Sequence, residues 1–214
     1  MRAEHIVQGA FVQIFAKKLE DQLRERCGLA SKDIRIDKRE IFKSLAATRE
    51  LFEEYLHEEV YFRFSGAKEA AINDPDLQGR CEEHTALEYL VDFSFSAFSI
   101  PEAIGQKIID QPVNYEMLLA VESELGTLNE VCRDLLKLLD VKAALKCLIY
   151  SEPRRKSTRE RLYQRILRVF ASHSHPGEPD SWILLGLAPG EDSKVKCEFR
   201  GLSEGFQDLV SFFH

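Results

Sequence analysis

Glu122 and Glu124 end the apolar run "LLAVESELG" two residues apart, and Asp92 lies in an earlier apolar segment, "ALEYLVDFSF". Side chains alternate along an extended chain, so Glu122 and Glu124 share one face. Three carboxylates gathered beside apolar residues repel one another, and some stay protonated unless a cation joins them. Mg²⁺ (or Mn²⁺) suits such a set: it takes hard oxygen ligands, typically one or two carboxylates completed by waters and phosphate oxygens. An ion held there generates hydroxide near neutral pH and stabilises charge developing on a phosphodiester. The competing reading is that a strand surfaces and its last polar side chains point into water.

The elements around these acids decide whether they can meet. Leu87, Tyr89, Val91, Phe93 and Phe95 alternate, which predicts a strand with Glu88, Leu90, Asp92 and Ser94 on its other face. A second strand starts at Tyr115, and its continuous apolar middle predicts burial on both sides. Leu118, Ala120, Glu122 and Glu124 fall on one of those sides. If the two strands pair as antiparallel neighbours, Asp92 can face the two Glu residues. The connection between them is long, so the register stays open.

"TLNEVCRDLLKLLDV" follows, with Leu128, Val131, Leu135, Leu138 and Leu139 at helical spacing. Thr127 and Glu130 form the pattern of a capping box at its start. A third strand from Ala144 completes a strand-helix-strand unit, the natural way to connect parallel neighbours. A helix from Ser157 to Ala171, the strand pair "SWILLGLA" and "KVKCEFRG", and a short terminal helix in "SEGFQDLVSFFH" are expected next. Upstream, the first 65 residues read as helical. Val7, Phe11, Ile14, Phe15 and Leu19 mark a first helix with a stop at Cys27-Gly28, and a second runs from Lys38 to Glu59. "SGAKEAAINDPDLQGR" reads as a surface loop. The expected fold is α/β (α+β): a mixed central sheet with flanking helices, with an N-terminal helical region over residues 1–66 and the core over 67–214.

In "LEYLVDFSF", "LLAVESELG", the amphipathic helix and "VKAALKCLIYSEP", residues 85–151 resemble the catalytic core of PD-(D/E)xK nucleases, the restriction-endonuclease-like superfamily. There an Asp on one strand precedes an acid-x-Lys motif on the next, and a helix and a further strand follow. The resemblance implies a Mg²⁺-dependent nuclease with Asp92 as first metal ligand, Glu122 as second and the backbone carbonyl of Ser123 as third. It makes Asp92, Glu122 and Glu124 the catalytic set. Glu124 stands where the family usually has Lys, the residue thought to orient the attacking water and steady negative charge. Some restriction enzymes of the superfamily carry Glu there and remain active. Lys142 and Lys146 are the nearest lysines in sequence that could substitute. Family members often add an acid from the preceding helix, for which Glu53, Glu54, Glu82 and Glu83 are available.

A formal net charge of -7 counts against a general DNA-coating protein, though a nuclease needs only a positive docking surface. "PRRKSTRERLYQRILR" supplies one: Arg154, Arg155, Lys156, Arg159, Arg161, Arg165 and Arg168 against the single Glu160. As a bare charge run it is a solvated helix face. For a nuclease, Arg154, Arg155, Lys156 and Arg159 are the expected phosphate contacts, which position a substrate without reading its sequence. Five scattered cysteines with no CxxC pair argue against a disulfide framework or zinc site and for a reducing cytoplasm. No apolar run has the length of a membrane span and no signal peptide is read, so no membrane partner is expected. Nucleic acid is the partner the nuclease reading implies, with a homodimer also open. His173 and His175 read as a surface loop and Trp182 as core. Two rival functions stand beside the nuclease. One is a catalytically degenerate nuclease-like module that binds nucleic acid or protein. The other is a helical interaction protein.

Overall fold

Alternating apolar and polar residues set the elements, and the computed structural model describes residues 9–26, 37–64, 91–97, 117–173, 181–187 and 196–201. Helix α1, Gly9–Arg26, buries Phe11, Val12, Phe15, Ala16, Leu19 and Leu23 at helical spacing. Ile14, expected on that stripe, is 57% exposed. The single helix expected from Lys38 to Glu59 is two: α2, Lys38–Ala46, and α3, Arg49–Leu56. Hydroxyls explain the break. Ser44 Oγ donates to the Glu40 carbonyl and Thr48 Oγ1 to the Leu45 carbonyl, competing with the helix for its own acceptors. His57 then ends α3 in the left-handed region, with φ 54°. Three residues further on, Tyr61–Phe64, within the region read as helical from the sequence, form strand β1.

Strands β2 (Phe93–Ser96), β3 (Met117–Glu124), β4 (Leu145–Ser151), β5 (Ser181–Leu187) and β6 (Lys196–Gly201) join β1 in one six-stranded sheet, ordered as in sequence. β1, β2 and β3 form an antiparallel meander; β3, β4 and β5 run parallel; β6 is antiparallel to β5. The two parallel connections are helices α4, Leu128–Asp140, and α5, Lys156–His173. The result is an α/β fold with a mixed sheet between two helical layers.

Each face of the sheet has its own apolar core. Phe15, Phe52 and Ile41 of α1–α3 pack with Phe93, Phe95, Leu119, Val121, Cys147 and Ile183. On the other face Val131, Leu135 and Leu138 of α4, with Leu162, Ile166 and Phe170 of α5, cover Ala120, Leu148 and Trp182. β3 and β4 are buried on both sides, as their unbroken apolar runs imply. A bulge breaks strict alternation at the start of β3: Ser96 pairs with Met117 and Phe95 with Leu119, leaving Leu118 as the extra residue. Leu118 accordingly joins Leu119 in the α1–α3 core.

Trp182 is core as expected, edge-on to Phe170. Among the described residues Cys132 and Cys147 are free thiols, and no helix is long and apolar enough to cross a membrane. The polar loop after β1, residues 85–90 of the first expected strand, the terminal helix and His175 lie outside the described residues.

Candidate functional site

β2 and β3 bring the acids together, because they pair antiparallel with Phe93 opposite Val121 and Ser94 opposite Ala120. That register, carried one residue on, sets Asp92 beside Glu122. Asp92 is not itself on a strand: it occupies the bend directly before β2. The reason is its carboxylate, which takes over the ladder. Asp92 Oδ2 accepts from both the backbone N–H and the hydroxyl of Ser123, each at 3.0 Å. Lys38 Nζ, from the first turn of α2, donates to the same oxygen at 3.0 Å. Burial works to raise the Asp92 pKa, but the bonds from Lys38 and Ser123 outweigh it and hold the carboxyl below its ordinary value. Asp92 is therefore an anion at neutral pH.

Glu122 is the opposite case. Its side chain leaves β3 toward α4 and is 1% exposed, and neither carboxylate oxygen has a hydrogen-bond partner among the described residues. Lys137 Nζ of α4 lies 3.4 Å from Glu122 Oε1, an ion pair too long for a well-made hydrogen bond. Burial first, then the charges of Asp92 and Asp134, push the Glu122 carboxyl up to about 8, with Lys137 opposing them. Lys137 is anchored by Asp134, one turn earlier, at 2.7 Å. Its side chain is 40% exposed, so the ammonium spans from solvent to the buried acid.

The positions of α4 and β3 follow from local chemistry. The capping box is complete: the Thr127 hydroxyl accepts from Glu130 N–H, and the Glu130 carboxylate accepts from Thr127 N–H at 2.7 Å. Gly126 precedes it in a crowded turn, where a Cβ would come 2.6 Å from Glu130 Oε2 and 2.7 Å from Glu124 Oε1 and displace those side-chain ends. Glu124 is spent on this turn, with its Oε1 accepting from Gly126 N–H at 2.6 Å. It shares a face with Glu122 by alternation, but its carboxylate is committed to the β3–α4 connection. Ser123 is buried with its hydroxyl on Asp92.

The lysines expected to substitute at position 124 are elsewhere: Lys142 is exposed after α4, and Lys146 is buried with its ammonium 5.2 Å over the Trp182 ring. Lys137, which sequence reading passed over, is the one at Glu122. A signal existed, since a helix connecting two parallel strands must cover them. Which turn of it meets Glu122 depends on the crossing, which sequence does not state. Of the upstream acids, Glu53 accepts from Val60 N–H at 3.1 Å and pairs with Arg49, which commits it to the α3–β1 turn. Glu54 is exposed, and Glu82 and Glu83 lie outside the described residues.

Arg154 and Arg155 are exposed in the bend before α5, and Lys156 is exposed at its start. Arg159 differs from that expectation. It donates to the buried Glu152 at 3.2 Å, beside the Tyr163 hydroxyl at 2.6 Å, and so ties α5 to the end of β4.

Among the described residues, no group of three or more His, Cys, Asp or Glu side chains is placed to hold a metal ion. Among the described residues, the sequence-expected ligands that come together are Asp92 and Glu122. No family model, curated protein or solved structure matches the chain.

Proposed function

We propose that the protein is a Mg²⁺-dependent phosphodiesterase acting on nucleic acid, with a restriction-endonuclease-like core and its centre at Asp92 and Glu122. One observation carries the reading. Glu122 is a buried carboxyl with no hydrogen bond to either oxygen, next to the ionised Asp92. An acid that no hydrogen bond satisfies, and that the partly exposed Lys137 faces at 3.4 Å, favours a further cation there, and burying it without a use is costly. Two carboxylates also match the usual protein contribution to a Mg²⁺ site, the remaining positions going to water and phosphate. Asp92, Glu122 and the Ser123 carbonyl would hold the ion, whose chemistry is to polarise a phosphoryl oxygen and activate water. Lys137 supplies the positive charge that Glu124 cannot, and Asp134 fixes its ammonium at Glu122. The order of elements supports the reading: two antiparallel strands, with Asp92 in the bend before the first and Glu122 on the second, then an amphipathic helix and a parallel strand.

The test is metal-dependent cleavage of plasmid DNA and of RNA by the wild type, Asp92→Asn and Glu122→Gln. Both variants should lose at least a hundredfold in rate while keeping the wild-type circular dichroism. Cleavage retained by either folded variant overturns the assignment of the centre.

A degenerate, non-catalytic module is the second reading, and one contact favours it: Lys38 and Ser123 already occupy Asp92 Oδ2. It predicts no Mn²⁺ binding by calorimetry, where the phosphodiesterase predicts binding that Glu122→Gln abolishes. A purely helical interaction protein does not fit a six-stranded sheet.

A further inference from the structure

The exposed cations outside the centre have an arrangement of their own. On α5, Arg161, Arg165 and Arg168 are exposed at i, i+4 and i+7, a single stripe along the helix. Arg165 reaches across to α4 and donates to Asn129. Four and eight residues beyond Asn129 stand Arg133, exposed, and Lys137, at Glu122. Each step of four residues overshoots one turn by about 40°, so this row winds from the α5 seam over the outer surface of α4 and down to β3. It rises roughly 12 Å on the way.

Among the described residues no carboxylate forms an ion pair with Arg133, Arg161, Arg165 or Arg168. The nearby acids are used otherwise: Glu160 faces Lys156 at 3.9 Å, and Glu130 closes the capping box. In a chain of net charge -7, four guanidinium groups that form no ion pair among the described residues, three along α5 and one on the α4 row to which Arg165 bridges, are a segregation of charge.

We propose that this row, Arg168, Arg165 and Arg161 on α5 continued by Arg133 and Lys137 on α4, is the track on which the phosphate backbone of a nucleic acid lies as it approaches Glu122. The track's destination rests on the phosphodiesterase reading; its course rests on charge and helical geometry alone. Guanidinium forks suit phosphate oxygens, which they bind in pairs. An anionic membrane fits less well, because membrane-surface helices interleave large apolar side chains with their cations. The large hydrophobics exposed among the described residues, Ile14 and Tyr55, belong to α1 and α3 on the other side of the sheet.

The experiment measures binding of a short fluorescent DNA duplex and an RNA strand in EDTA, between about 50 and 200 mM salt. Replacing Arg133, Arg161 and Arg168 together by Gln should reduce the slope of log K against log salt by about 0.7–0.9 per residue and weaken binding at least tenfold at low salt. Arg24→Gln, on α1, should leave the slope unchanged. The salt slope in EDTA reads the track alone, whereas metal-dependent cleavage by Asp92→Asn reads the centre, so a wrong catalytic centre and a wrong track give different results. If the triple variant loses its circular dichroism, Arg133→Gln alone carries the test with one residue's share of the slope. An unchanged slope, no binding to either nucleic acid, or stronger binding to phosphatidylserine vesicles overturns the proposal.

Discussion

Glu122 behaves unlike any solvated carboxylate, and its titration is measurable. Unfolded, it ionises near 4.5; folded, burial and the charges of Asp92 and Asp134 move it to about 8. Between those values the folded chain keeps a proton that the unfolded chain has released, so the stability from this proton falls as pH rises. That stability is fully present below about 4.5 and gone above about 8. Glu122→Gln removes the titration, so in EDTA the variant's stability should stay flatter from pH 5 to 8. At pH 8 it should exceed the wild type by on the order of a few kcal/mol, read from urea denaturation. A wild-type curve as flat as the variant's would place Glu122 in contact with water. That Asp92 and Glu122 could approach one another was legible from the two apolar segments, though Asp92 falls in the bend before β2 and not on the expected strand. Their contrast was not: Lys38 comes from 54 residues away to ionise Asp92, and no local pattern announces such a partner. Glu124 was legible by face but not by use, because alternation cannot show a side chain folding back onto Gly126.

α4 is the element on which the site depends, since it carries both Lys137 and Asp134. Its beginning and its buried stripe stand plainly in the sequence, because a capping box and a 3.6-residue period are both local signals. β3, β4 and β5 were equally readable as apolar runs, and β6 as the partner of β5 across a turn. β1 was not: it is four residues long, directly follows an amphipathic helix, and becomes a strand by pairing with β2, from Tyr61 opposite Ser96 to Phe64 opposite Phe93. The break between α2 and α3 also escaped, since Ser44 and Thr48 act through hydroxyl bonds that apolar periodicity does not register. Thr127→Ala should cost about 1 kcal/mol in urea denaturation by opening the cap. Leu135→Ala, buried between α4 and the sheet, should cost about 2–5 kcal/mol. Leu135→Ala should also weaken Mn²⁺ binding if α4 holds Lys137 and Asp134 in place. Equal Mn²⁺ affinity in the Leu135→Ala variant would detach the helix from the centre.

At the scale of the whole molecule, two separately packed layers clamp a sheet in which β3 carries the buried Glu122 near its end. Each layer sends a cation to the site: α2 gives Lys38 to Asp92, and α4 gives Lys137 to Glu122. A metal ion bound there must replace the Glu122 proton, so binding and pH are linked. Below about 8 the affinity for Mn²⁺ should rise about tenfold per pH unit, then level off. Ligand binding adds stability that grows with concentration over Kd, so the melting temperature in excess Mn²⁺ should exceed that in EDTA by a margin that widens from pH 6 to 8. The sign is opposite to the metal-free trend, in which rising pH erodes stability. Glu122→Gln should bring the two melting curves together at every pH. A margin that is constant with pH, or one that survives in Glu122→Gln, would mean that the ion stabilises the fold from somewhere other than the acids at the end of β3.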